Sequence, residues 1–133
     1  MAIILDADVI IRGERGTFDL AKWVADRPDE EFEVAAITVA ELWHGVERAT
    51  DANKATREQY LQSLLSVLPV ISYGEITAFH HARIRAASES SGTMMNYYDL
   101  IVAATALERG SSVATFNHRH FAHVQGLKVI QPQ

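Results

Sequence analysis

Residues 98–115 read YDLIVAATALERGSSVAT and predict a helix that leads directly into a strand. Residues 98–109 are predicted to be helical, Gly110 provides the left-handed residue that often closes a helix, and residues 112–115 form the strand. A helix placed directly before a short strand is typical of an α/β fold, in which right-handed crossovers return the chain to a parallel sheet. The rest of the chain repeats this alternation.

The first strand of the predicted sheet lies at the N-terminus. Residues 2–6 read AIILD, a short apolar run that stops at Asp6. Such a run is typical of a strand that is buried on both faces, as in parallel sheets. Further strands are predicted at residues 32–37, 70–72 and 127–130.

Helices are predicted in the intervals between these strands. Apolar side chains at helical spacing mark residues 17–26 and 38–48. A third helix follows a cap at Asn53, and a fourth follows Gly74. No element is predicted between the first strand and residue 17, and the segment between the last two strands is expected to be a loop.

The order of these elements predicts an α/β fold, a three-layer α/β/α sandwich with a mainly parallel sheet of four or five strands. Neither an internal repeat nor a linker divides the chain. We therefore expect a single domain over residues 1–133.

The composition is that of an ordinary globular protein, with 48% hydrophobic and 22% charged residues. There is no cysteine, which excludes disulfides, thiolate zinc sites and a thiol nucleophile. The acid at position 6 comes too early for a signal peptide, and no apolar stretch approaches the length of a membrane span. We expect a cytoplasmic protein without a membrane segment.

The net charge of -5 argues against broad electrostatic binding of nucleic acid, which normally depends on many Lys and Arg contacts to phosphate. The objection weakens if the acidic side chains are clustered around a divalent cation, because the bound metal then supplies positive charge where phosphate must sit.

Three acids stand where parallel α/β sheets form their active sites, at the carboxyl ends of strands. Asp6 ends the first strand, Glu41 lies one turn into the helix after the second, and Asp99 begins the helix that leads into the fourth. They converge if strands one, two and four are neighbours. As ligands, their carboxylate oxygens favour Mg²⁺ or Mn²⁺. Such a cation can activate water and stabilise the leaving oxygen of a phosphodiester.

Each acid also has a purely structural explanation. Glu41 matches a capping box that begins at Thr38, Asp99 can favour the positive end of a helix dipole, and Asp6 can simply mark the end of a strand. The combination of all three at one predicted edge favours the metal site.

Four segments resemble the PIN-domain family and, within it, the VapC-like toxins of toxin–antitoxin (VapBC) pairs. In the first segment Asp6 stands where the family has its first metal ligand, and Asp8 stands where many members have Asn or Ser. The segments, in order, are residues 4–11 (ILDADVII), 37–42 (ITVAEL, followed by Gly45), 98–107 (YDLIVAATAL) and 114–121 (ATFNHRHF, followed by Gly126 and Leu127).

The resemblance implies a Mg²⁺-dependent ribonuclease in which Asp6, Glu41 and Asp99 bind the metal, with Mn²⁺ as an alternative. A bound water then attacks the phosphodiester, Asn117 orients that water or the metal, and Thr115 assists through its hydroxyl. The candidates for contacts to RNA phosphates are Arg12, Arg15 and Arg119. The resemblance also implies a small VapB-like antitoxin as partner, and a homodimer.

One departure from the family lies in the closing segment, where many PIN nucleases have a further carboxylate. This chain has Asn117 and His120 there, and no acid follows Glu108. One negative charge fewer is expected to weaken a second metal site, so the sequence leaves open a one-metal mechanism or a low intrinsic activity. It also leaves open a catalytically weak binding module with the same fold.

Two other chemistries have partial support in the sequence. Asp6 and Asp8 after an apolar strand also resemble the nucleophile motif of haloacid-dehalogenase phosphatases, which require a downstream lysine and a late pair of acids. Histidines at positions 80, 81, 118, 120 and 123 suggest zinc, although their spacing is not that of a known zinc motif. Neither the RNA that is cleaved nor the cleavage position can be read from the sequence.

Overall fold

The computed structural model describes residues 1–133, and its five strands form one parallel sheet. The order across the sheet is β3-β2-β1-β4-β5, so β1 is central and has β2 and β4 as its neighbours. The predicted adjacency of the first, second and fourth strands is therefore confirmed. The strands are β1 (Ala2–Leu5), β2 (Glu31–Ala35), β3 (Val70–Ile71), β4 (Ser112–Ala114) and β5 (Val129–Ile130).

Seven helices cover the two faces of this sheet. None of them combines the length and the apolarity that a membrane crossing requires. The helices are α1 (Ala7–Arg15), α2 (Leu20–Ala25), α3 (Ala36–Glu47), α4 (Asp51–Leu65), α5 (Glu75–Ser91), α6 (Tyr97–Arg109) and α7 (His118–Phe121).

Two apolar cores lie on opposite faces of the sheet, because successive side chains of a strand point to opposite sides. Ile3 and Leu5 of β1 pack in a core shared with α1, α2 and α4. Ile4 of β1 packs with Val113 of β4 in the other core, which is formed largely by α6. Both faces of the sheet are therefore covered, which confirms the predicted three-layer sandwich.

Helix α6 is buried along most of its length, as the apolar sequence of this segment predicts. Every residue from 100 to 106 is buried, and Ala103, Ala104 and Ala106 are completely inaccessible. These small side chains allow α6 to lie close beneath the sheet. Gly110 adopts the left-handed conformation that closes the helix, with φ of 66°.

Helix α1 was not predicted from the sequence, and this omission is the main error of the sequence interpretation. Asp6 caps it at the start, and Gly16 ends it in the left-handed conformation with φ of 76°. The β-branched residues Val9 and Ile10 have weak intrinsic helix propensity, but both are fully buried in the first core. Burial of these side chains therefore decides the conformation.

Gly13 shows how closely α1 packs against its neighbours. A Cβ atom at this position would lie 3.0 Å from Leu20 Cβ of α2 and 3.0 Å from Tyr60 Oη of α4. Only glycine fits without displacing one of these side chains.

Three further boundaries differ from the sequence prediction. Helix α3 begins at Ala36, so Thr38 lies inside it and cannot be its cap. Thr50, and not Asn53, is the cap residue of α4. The predicted loop between the last two strands contains the short helix α7, where Phe121 is buried in the second core.

Candidate active site

Asp6 lies at the carboxyl end of the central strand and is 6% exposed. One carboxylate oxygen, Oδ1, accepts a hydrogen bond from the Ala7 amide at 2.9 Å and so caps α1. The other, Oδ2, accepts a hydrogen bond from the Thr115 hydroxyl at 2.8 Å. The side chain is thus held from β1 on one side and from the end of β4 on the other.

Thr115 connects the two neighbouring strand ends. Its side chain is fully buried, and its hydroxyl also accepts a hydrogen bond from the Asn117 amide at 3.0 Å. Asn117 itself is exposed at the start of α7, and its side chain makes no cap hydrogen bond. The structure therefore brings Thr115 to Asp6 and leaves the Asn117 carboxamide facing solvent.

Asp8 is an acid of this site that the sequence interpretation did not include among the site residues. It lies in the first turn of α1, and its Oδ2 accepts a hydrogen bond from the Phe116 amide at 3.0 Å. Both of its oxygens lie 3.5 Å from the Thr115 hydroxyl. The signal that could have located Asp8 was a helix directly after Asp6, and that helix was not predicted.

Glu41 and Asp99 approach from the helices on either side of the strand ends. Glu41 is the sixth residue of α3 and is partly buried. The capping-box explanation for Glu41 is wrong, because Thr38 is buried within the helix and its hydroxyl has no partner. Asp99 lies in the first turn of α6, and its Oδ2 is 3.1 Å from Nδ1 of His120 on α7.

The carboxylates influence one another electrostatically. The pKa of Asp6 rises from 3.8 to about 7, first through burial and then through the negative charges of Asp8 and Asp99, although the Thr115 hydrogen bond opposes the rise. Burial also raises the pKa of Glu41, and the charges of Asp99 and Asp8 add to the effect. A pocket of buried, mutually repelling carboxylates is unfavourable without a counter-ion.

For the other two acids, hydrogen bonds partly offset the effect of burial on the pKa. Burial raises the pKa of Asp99, while the hydrogen bond and charge of His120 lower it. Burial likewise raises the pKa of Asp8, and the amide of Phe116 opposes that rise. All four carboxyl groups therefore have a pKa above the usual value for their type, with burial as the main cause.

The donor set fits a hard divalent cation. No three His, Cys, Asp or Glu side chains form a preformed metal cage. Mg²⁺ does not need such a cage, because it is commonly held by one or two carboxylates and keeps several waters. Asp6, Glu41 and Asp99, with oxygen donors and net negative charge, are the residues that would hold it.

The predicted arginines occupy different positions relative to this pocket. The guanidinium of Arg12 lies 4.0 Å from the centroid of the Phe116 ring, and its charge acts on Asp8. Arg15 is exposed in the last turn of α1, and Arg119 is exposed on α7. Arg12 is therefore the arginine with a defined contact beside the acids.

The lysines and histidines do not assemble into a second catalytic group. Lys22 pairs with Asp26 and Lys54 with Glu47, and Lys128 is exposed directly before β5, at the opposite end of the strands from the acids. None of them therefore provides the lysine that a dehalogenase-like site requires. His81 accepts or donates a hydrogen bond with the Tyr73 hydroxyl at 2.8 Å, while His120 contacts Asp99. These two histidines thus belong to separate contacts.

An apolar groove of about 730 Å³ lies beside the site. Leu5, the residue before Asp6, forms part of its wall, and α2 and α4 form its sides. The lining residues that these helices contribute include Leu20, Val24, Tyr60 and Leu64.

A model of the PIN domain matches residues 3–127 of this chain. Ribonuclease VapC1 of Rickettsia felis is 30% identical, over 98% of this chain and 96% of its own length. The tRNA(fMet)-specific endonuclease VapC of Salmonella typhimurium is 34% identical, over 72% of this chain and 71% of its own length. Among solved structures, that of DNA-bound VapBC from Salmonella typhimurium has a TM-score of 0.88 at 25% identity and covers 97% of this chain and 96% of the matched one.

Proposed function

Since this chain belongs to the PIN domain family, we propose that it is a VapC-type ribonuclease that uses a divalent cation to hydrolyse RNA and acts as the toxin of a toxin–antitoxin pair. The observation that carries the proposal is the convergence of Asp6, Glu41 and Asp99 at the carboxyl edge of a parallel sheet. The names of the relatives, a ribonuclease and a tRNA(fMet)-specific endonuclease, support the same reaction class.

The three acids would hold Mg²⁺ or Mn²⁺. When bound, such a cation lowers the pKa of a coordinated water and stabilises negative charge on the phosphodiester oxygens. The carboxylates contribute the negative charge that attracts the cation into a partly buried site.

Other side chains keep the acids in place. The Thr115 hydroxyl donates to Asp6 and fixes its orientation relative to β4. A ring N–H of His120 donates to Asp99 and limits its rotation. Such supporting hydrogen bonds orient metal ligands and raise metal affinity. The exposed carboxamide of Asn117 is free to hydrogen-bond water or a phosphate oxygen beside them.

Arg12 is the side chain in this arrangement that we assign to RNA phosphate. Stacking on Phe116 restricts its guanidinium while leaving its N–H groups available. A fixed arginine next to a cation site can bind a phosphate oxygen of the substrate with little loss of side-chain entropy. Arg15 and Arg119 are weaker candidates, since the structure gives neither a fixed position.

We assign the small antitoxin to the apolar groove next to the acidic pocket. Solved structures similar to this chain contain VapBC complexes, including the one from Salmonella typhimurium. The groove offers apolar surface to a partner helix, and the acidic pocket suits a basic side chain of the same partner. A net charge of -5 agrees with a basic partner peptide.

A homodimer would use a different surface. Helix α5 exposes large apolar side chains, with Ile76 60% and Phe79 55% exposed. Exposed apolar residues on one helix often mark an interface. Light scattering of the purified chain measures this directly, and a monomer at micromolar concentration would contradict the assignment.

The proposal is tested by incubating total cellular RNA with the purified chain in Mg²⁺ or Mn²⁺. Discrete fragments are expected, and they should disappear with EDTA and with Asp6→Asn. Asp29→Asn is the matched control, because Asp29 is an exposed acid in the loop before β2, at the other end of the strands. Intact RNA under all conditions, with folded protein free of antitoxin, would favour a binding module instead.

A further inference from the structure

Asp8 occupies the place where the ends of β1 and β4 meet. It is carried by α1, directly after β1, yet its carboxylate reaches the backbone of the segment that follows β4. The contact joins residues that are 108 positions apart in the sequence. Asp8 therefore belongs to the same edge of the sheet as Asp6.

The donors around Asp8 are the backbone amides of Phe116 and Val9 and, at a longer distance, the Thr115 hydroxyl. Oδ2 receives the amide of Phe116 at 3.0 Å. The Thr115 hydroxyl has one hydrogen, and the distance of 2.8 Å to Asp6, against 3.5 Å to Asp8, assigns that hydrogen to Asp6. An ionised carboxylate has about four lone-pair sites, so the two amide donors leave Asp8 able to accept from a further ligand.

No cation of the protein neutralises this carboxylate directly. Arg12 is the basic residue whose charge acts on Asp8, and its guanidinium lies over the Phe116 ring instead of forming an ion pair with Asp8. A half-buried carboxylate without an ion-pair partner favours an external cation.

The β4 side of the pocket has no acid of its own. The residues that follow β4 there are Thr115 and Asn117, and the chain contains no Asp or Glu after Glu108. Asp8 is therefore the side chain that brings negative charge to this side, and it does so from α1.

We infer that Asp8 is a fourth carboxylate of the divalent-cation site, where it binds the cation or one of its coordinated waters, and that it supplies from α1 the acidic group that the segment after β4 lacks. The inference rests on the proposed function, since it concerns the same site. It gives Asp8 a part in cation binding, in addition to anchoring the Phe116 amide.

Asp8→Asn separates these two contributions. Asparagine keeps an oxygen that can accept the Phe116 amide, but it removes the charge. Mn²⁺ binding to the EDTA-treated, dialysed full-length chain is measured by isothermal titration calorimetry, and thermal unfolding in EDTA checks the fold. We expect the affinity for Mn²⁺ to fall by at least about 10-fold, with the unfolding temperature in EDTA unchanged or higher.

A second variant restores the charge from the other side. Asn117→Asp in the Asp8→Asn background returns a carboxylate to the segment after β4 and is expected to recover Mn²⁺ affinity. If Asp8→Asn binds Mn²⁺ as tightly as the wild type while the wild type cleaves RNA, Asp8 is only an anchor and the inference is wrong. If the wild type itself binds no Mn²⁺, the proposed function fails together with the inference.

Discussion

Two buried acids of this protein, Glu33 within β2 and Asp6 directly after β1, lie in opposite electrostatic environments. Glu33 of β2 is 3% exposed, and its carboxylate is matched by the guanidinium of Arg109 and by the hydroxyl of Ser111. Asp6 is 6% exposed, and its neighbours in the pocket are further acids. A buried carboxylate with its own arginine has its charge compensated within the fold, whereas one surrounded by acids favours an external cation.

The largest effect that this comparison predicts is on catalysis. Asp6→Asn is expected to reduce metal-dependent RNA cleavage by at least about 100-fold, because a metal ligand is lost. Glu33→Gln, measured below its unfolding temperature, should change the rate by no more than about 3-fold, since Glu33 pairs with Arg109 and Ser111 instead of the acidic pocket. Equal losses in the two variants would contradict the distinction.

The next effect is on stability as a function of pH. The folded state holds the Asp6 pKa at about 7, above the ordinary 3.8, so it binds a proton more tightly than the unfolded chain does. In EDTA, the free energy of unfolding should therefore fall as pH rises from about 4 to 7, by a few kcal/mol at most. Urea denaturation at pH 5 and pH 8 measures this fall.

Asp6→Asn provides the control for the pH measurement. It should be more stable than the wild type in EDTA at pH 8 and should show a weaker dependence on pH. If the free energy of unfolding of the wild type instead rises between pH 5 and pH 8, the predicted contribution of the raised Asp6 pKa is wrong.

A smaller effect is expected on the stability of the paired acid. Glu33→Gln removes the charge that holds Arg109 and weakens the contact with Ser111, so the free energy of unfolding should fall by about 1–3 kcal/mol. Arg109 is 43% exposed and can be hydrated after the change, which keeps the loss at this level. Chemical denaturation at pH 8 compares this loss with the gain expected for Asp6→Asn.

The smallest effect concerns Thr115. Thr115→Val keeps the volume but removes the hydroxyl that donates to Asp6, and Mn²⁺ affinity should fall by about 10-fold. The matched control is Thr105→Val, because Thr105 is equally buried and its hydroxyl donates to a carbonyl within α6. Equal Mn²⁺ affinities of the two variants would show that the hydroxyl of Thr115 does not orient Asp6.

The parts of the fold that the sequence predicted are those in which local pattern and burial agree. The apolar run of β1, the buried helix α6 and the three separated acids all follow from short-range patterns and from the rule that strand ends share an edge. Helix α1 was missed because its β-branched residues Val9 and Ile10 have weak helix propensity and become helical through their burial in the first core.

Two features of the site were missed for the same reason. Asp8 meets Phe116 only after β1 and β4 pair, and His120 meets Asp99 only after α7 folds onto α6. These contacts depend on the assembled sheet, so the sequence alone does not show which partners Asp8 and His120 have. The four family-like segments nevertheless identified the family correctly.

The carboxylate of Asp6 also begins α1, since its Oδ1 accepts the Ala7 amide. Asparagine is as good a helix cap as aspartate, and the two codons differ at a single base. One point mutation is therefore expected to yield a folded chain without the carboxylate that we propose as a metal ligand. Under the proposed function, the protein encoded by such an allele would not cleave RNA and would still bind the antitoxin. By occupying the antitoxin, it would release active toxin in the same cell.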